Sequence, residues 1–161
     1  MASSTDSLHS AMRLGNQIKQ CEQALVGEKH RVLRPFGLTV PQYAALLAVW
    51  ESPQISGAQL ARRCGVTAQA MNGVVALLED RGLITRSHSA DHAKVLLIRL
   101  TRSGRNLLRQ ADQAAIAVER RLMQAFTDSE LDSLRVLLDT AIGALAAERP
   151  GAVPVRHAAA S

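Results

Sequence analysis

Apolar positions recur at helical spacing over most of the chain and switch to a shorter period only once, near its middle. Leu8, Met12, Ile18, Leu25, Val32 and Leu33 predict a long helix over residues 6–34, interrupted in quality by Gly15 and Gly27 and ended by Pro35 and Gly37. "LTVPQYAALLAVWE" predicts a second helix, with Thr39 as its cap and Pro41 in the first turn, where a missing N–H costs nothing. After a turn at Ser52 and Pro53, Ser56 is placed to cap "GAQLARRC", a helix of about two turns. Gly65 stops that helix and Thr67 caps the next, "AQAMNGVVALLED", which ends at Gly82.

Beyond Gly82 the period shortens. Leu83, Ile84 and Thr85 predict one strand and Val95 to Leu100 its partner, with the polar stretch "SHSADHA" between them as the tip of a hairpin. Thr101 then caps a long helix through "RSGRNLLRQADQAAIAVERRLMQAF". A last helix opens at "TDSE", where Thr127 and Glu130 have capping-box spacing, and runs to about Ala147. "RPGAVPVRHAAAS" reads as a loose tail.

The two short helices joined by "CGVT" have helix-turn-helix spacing, and the hairpin that follows is placed as a wing. Leu60, Ala61, Val66, Met71, Val74, Val75 and Leu78 are the candidate shared core. Thr67, Gln69, Ala70, Asn72 and Gly73 are left on the outer side, so the second short helix begins with small or hydrogen-bonding side chains. That composition suits close approach to the edges of bases in a major groove, where Gln and Asn pair bidentately with adenine.

Composition and charge narrow the partners. Among 161 residues, 47% are hydrophobic, yet the aromatics are only Phe36, Tyr43, Trp50 and Phe126, so the core is built from aliphatic side chains and packed helices. Residues 55–105 hold 8 Lys/Arg against 3 Asp/Glu, while the two flanking segments are close to neutral. A positive middle third raises the expectation of a polyanionic partner. No apolar run reaches the roughly 18 residues of a membrane span, and "MASSTDSLHSAMR" does not read as a secretion signal, so the expected location is the cytoplasm without membrane association.

"LTVPQYAALLAVWE", "SGAQLARRCGVTAQAMNGVVALLEDRGLITR" and "LTRSGRNLL", in that order, closely resemble the MarR (multiple antibiotic resistance regulator) family over residues 8–147. The resemblance implies a mainly α fold with a small β-hairpin. A winged helix-turn-helix DNA-binding region would occupy 37–104, between an N-terminal dimerisation helix at 6–36 and C-terminal dimerisation helices at 105–147, with a flexible tail at 148–161. It implies an entwined homodimer on a palindromic double-stranded DNA operator, acting as a repressor released by a small, often phenolic effector for which no residue is assigned. The first and last helices carry apolar positions on more than one side, which independently favours a dimer.

The expected DNA contacts are Ser56, Arg62, Thr67, Gln69, Ala70, Asn72, Gly73, Arg86, His92 and Lys94. Lys94 aligns with the family's wing-tip arginine and Asp91 with its acidic neighbour, although "DHAK" has one residue more between them than the family pattern. Family members often carry a basic residue at the positions of Gly73 and Leu77; this chain has none, which shifts the expected burden of affinity to the wing and to Arg62 or Arg63. Arg86 matches an arginine that either braces the wing through an acidic partner or touches phosphate.

Other chemistry finds little support. Cys21 and Cys64 read as packing residues, although Cys21 lies in the helix that carries the sensing cysteine of peroxide-responsive family members. His9, His30, His88, His92 and His157 include no pair at metal-ligand spacing on a helix. No catalytic triad, phosphate-cradling loop or carboxylate pair stands out, so neither an enzyme nor a cofactor is expected. The alternatives to an effector-released repressor are a helical dimer that binds another protein and a cysteine redox regulator.

Overall fold

The computed structural model describes residues 13–88 and 95–146. Helix α1 spans Leu14–Leu33 and passes through a single 3₁₀ turn, Arg34–Phe36, into Gly37, whose φ of 62° is left-handed and suits glycine. Helix α2, Val40–Glu51, follows. Its Thr39 cap accepts from the Gln42 backbone N–H, and the Gln42 side chain accepts from the Thr39 N–H, a complete capping box that fixes the start. Strand β1, Ile55–Ser56, leads into α3, Gly57–Arg63, where Ser56 and Gln59 form a second capping box. Gly65 turns the chain with φ 66°, and Thr67 caps α4, Ala68–Asp80, by accepting from the Ala70 N–H at 3.2 Å.

Strands β2, Ile84–His88, and β3, Leu96–Leu100, form the hairpin, with Arg86 opposite Ile98. The sheet has three antiparallel strands in the order β1-β3-β2, because Ile55 and Ser56 pair with Ile98 and Leu97. Sequence patterning predicts only the hairpin; two residues are too short to show a period. The first strand also begins one residue later than predicted and continues to His88, which pairs with Leu96 and is therefore part of the ladder instead of the tip. Helix α5, Arg102–Met123, follows Thr101, and α6, Asp128–Ala146, follows the predicted Thr127–Glu130 capping box.

The described residues fall into two compact units divided between Val118 and Glu119. In the first, α2 is buried on several sides through Tyr43, Ala45, Leu46, Ala48 and Val49. Around it pack Leu33, Leu60, Met71, Leu78, Ile84 and Ile98, each less than 2% exposed, together with Leu108, Ala111 and Ala115 of α5. Five of the seven predicted helix-turn-helix core residues are buried; Val74 is half-buried and Val66 is 39% exposed. Val66 belongs to the turn, where the backbone and not the apolar side chain carries the contact, its N–H donating to the Ala61 carbonyl at 3.1 Å.

In the second unit, no residue of α6 is buried. Val136, Leu137, Ile142 and Leu145 are all more than 60% exposed, an apolar surface of the kind an obligate interface covers. Helix α1 similarly buries only Leu33 and leaves Leu14 and Ile18 exposed. No single helix among the described residues is long and apolar enough to cross a membrane.

Candidate nucleic-acid interface

Helix α4 is oriented by its own apolar side. Met71, Val75 and Leu78 are buried, at spacings of four and three residues, and anchor one face in the core. The opposite face is open: Thr67, Gln69, Ala70, Asn72 and Gly73 are all exposed, as the sequence predicts. Asn72 stands at the shoulder of this face, close enough to the start of α3 that a Cβ on Gly57 would meet its Oδ1 at 3.9 Å. A Cβ on Gly73 would meet nothing within 4 Å, so the centre of the face is a shallow gap in the side-chain surface. The first-turn N–H groups and the positive end of the helix dipole add an affinity for phosphate.

Basic side chains around this face divide into engaged and available ones. Arg63 is tied to Glu51 by an ion pair and donates to Ser52 Oγ at 2.6 Å, so it serves the packing of α3 on α2. Arg62, one residue earlier, is exposed and makes no ion pair among the described residues. Of the two arginines offered by the sequence, Arg63 is the one engaged by neighbouring side chains. The Ser56 hydroxyl is half-buried and occupied by its capping box, though an acceptor lone pair and the adjoining helix N-terminus remain.

Arg86 is paired with Glu79, which links β2 to the last turn of α4. The Arg86 hydrogen bond holds the Glu79 carboxyl below the usual carboxylate range, and the same contact raises the guanidinium. Of its two sequence readings, bracing of the wing has a partner in the structure. Asp91, His92 and Lys94 lie outside the described residues.

Elsewhere, sequence reasoning misses a cleft of ≈ 420 Å³ between α2 and α5. Leu47, Trp50, Glu51, Arg105, Leu108, Arg109 and Asp112 line it. Tyr43 donates to Asp112 Oδ1 at 2.6 Å, and Glu51 is engaged by Arg63, so both acidic groups are already partnered. Arg105 and Arg109 each spend one donor on the protein, on the Leu100 carbonyl and on Asn106 Oδ1, and retain others. Arg105, Arg109 and Asp112, spaced at i, i+4 and i+7, are a signal for one helix face, but what faces them is set by the fold. Trp50, 56% exposed, borders the same cleft.

Among the described residues no group of His, Cys, Asp and Glu is arranged to hold a metal. Cys21 is exposed, and half-burial raises the Cys64 thiol above its usual value, which disfavours the reactive thiolate.

Comparison with known proteins decides the family. The chain is 33% identical over 126 residues to the HTH-type transcriptional repressor Rv2887 of Mycobacterium tuberculosis, an alignment that covers 78% of this chain and 91% of the relative. The chain belongs to the MarR family. The MarR-family model itself matches residues 36–94, which contain α2, β1, α3, α4 and β2. Crystal structures of that M. tuberculosis MarR protein match the fold. One in complex with p-aminosalicylic acid has a TM-score of 0.63 at 33% identity, covering 80% of this chain and 97% of the other. One in complex with DNA has a TM-score of 0.64 at 32% identity, covering 80% and 96%. This MarR protein is thus a transcriptional regulator with a winged helix-turn-helix fold.

Proposed function

We propose that the protein is a homodimeric repressor that works in the cytoplasm, reads a palindromic operator through α4 and leaves it when a small aromatic acid binds. One observation carries the DNA reading: α4 is anchored by Met71, Val75 and Leu78, and its exposed face is made of Gln69, Ala70, Asn72 and Gly73. Bidentate amide contacts to adenine supply about 1–3 kcal/mol of discrimination each. Thr67, Ser56 and Arg62 take phosphates and set the register, while Lys94 and His92 contact DNA from the wing. Residues 6–36 and 105–147 form the dimer, whose two-fold axis matches the symmetry of the operator.

The effector reading rests on the α2–α5 cleft. Guanidinium donors from Arg105 and Arg109 beside the Trp50 ring suit a carboxylate on an aromatic body. The relative crystallised with p-aminosalicylic acid supports that chemical class. The binding test is fluorescence anisotropy against the DNA upstream of the protein's own gene and against a scrambled duplex, across about 50–200 mM salt. Selective binding whose log affinity falls linearly with log salt is expected, and release on adding salicylate tests the effector. Equal, weak binding to both duplexes would reject the operator reading in favour of a protein partner.

A further inference from the structure

The outer face of α4 lacks a basic side chain. Between Arg63 and Arg81 the sequence has no Lys or Arg, and both bounding arginines are turned to the protein: Arg63 to Glu51 and Ser52, and Arg81 to the Gly37 carbonyl at 2.8 Å. With Met71, Val75 and Leu78 in the core, Gln69, Gly73 and Ala76 succeed one another at i, i+4 and i+7 on the opposite side. Ala70 and Leu77 flank that line, and Leu77 is 55% exposed, a large apolar side chain with no role in the core.

Each base edge asks for a different complement. Guanine shows two acceptors, N7 and O6, which a forked or cationic donor satisfies best; adenine shows one acceptor and one donor, which a carboxamide matches; thymine shows a methyl group, which apolar side chains cover. Apart from the Thr67 hydroxyl, which is engaged in capping the Ala70 N–H, the face of α4 offers carboxamides and apolar groups only. Glu79 is held by Arg86, and Asp80 stands roughly 16 Å along the axis from Gln69, at the acidic end that phosphates repel.

We propose that α4 reads adenine and thymine edges alone, so that the part of each half-site under this helix is composed of A·T pairs recognised through adenine N6/N7 and thymine methyl groups. The inference rests on the operator reading above, and makes it specific: Gln69 selects adenine, Ala70 and Leu77 select thymine, and any guanine in the site is left to the wing or to DNA shape.

The test is selection of binding sequences from a randomised duplex pool by the full-length protein, followed by anisotropy on the selected duplex with single-base analogues. Conserved A·T pairs are expected in each half-site. Replacing a contacted thymine by uracil, which removes only the methyl, weakens binding about fourfold per methyl. Replacing guanines by 7-deazaguanine leaves affinity unchanged. Gln69→Ala lowers the preference for adenine at one position about tenfold. A conserved guanine whose 7-deaza analogue weakens binding, or a site indifferent to uracil, would overturn the inference while leaving DNA binding intact. A pool in which no sequence is enriched would overturn the operator reading and the inference together.

Discussion

Two glycines show how differently the same residue type is used. A Cβ on Gly104 would stand 2.0 Å from the Leu83 carbonyl oxygen, because the first turn of α5 rests directly on the start of β2. The same junction is closed by Thr101, whose Oγ1 donates to the Gly82 carbonyl at 2.7 Å and accepts from the Gly104 N–H at 3.0 Å. Gly104→Ala must push backbone from backbone, at a cost of about 1–3 kcal/mol, seen as a lower urea midpoint. Gly73 has open space around it, so Gly73→Ala is expected to stabilise the fold by about 0.5–1 kcal/mol through helix propensity, seen as a higher urea midpoint. The sequence distinguishes neither case, since Leu83 is distant along the chain from Gly104. The capping residues Thr39, Ser56, Thr67, Thr101 and Thr127 are legible because each satisfies a neighbour three residues on. Gln69 and Asn72 are legible as exposed because the buried stripe of α4 is regular.

Among the elements, the hairpin depends on how β2 is joined to α4. The Arg86–Glu79 pair makes that link. Because Glu79 is depressed in the folded protein, its contribution is present above the ordinary carboxylate pKa and is lost as pH falls through the depressed value. Glu79→Gln is therefore expected to lower stability slightly at neutral pH, and in denaturation curves the difference from the unmodified chain should shrink below the ordinary carboxylate pKa and vanish only once pH is below the depressed Glu79 value. A difference independent of pH would show that packing, not charge, makes the link. If Lys94 contacts phosphate as proposed, Lys94→Ala should weaken binding to all DNA sequences alike and reduce the salt slope by about one. Helices and hairpin are legible from period and caps. Strand β1 is not, because Ile55 and Ser56 become a strand only by meeting Ile98 and Leu97. The α2–α5 cleft is equally hidden, since Trp50 and Arg109 are brought to one cavity by tertiary packing alone.

At the scale of the whole molecule, α6 has no buried residue and exposes Val136, Leu137, Ile142 and Leu145. A chain with such a surface is expected to be a dimer at working concentrations, and Ile142→Asp with Leu145→Asp should convert it to monomers in sedimentation velocity and abolish tight operator binding. Dimerisation supplies two copies of α4; in the proposed complex these helices carry the sequence selectivity while phosphate contacts carry most of the affinity. The most direct test compares the unmodified protein with the Gln69→Ala, Asn72→Ala double variant by anisotropy, on the operator and on a scrambled duplex of equal length and at equal salt. Operator affinity is expected to fall at least about tenfold, toward the scrambled value, while affinity for scrambled DNA stays unchanged. A parallel loss on both duplexes, or no loss on either, would contradict it.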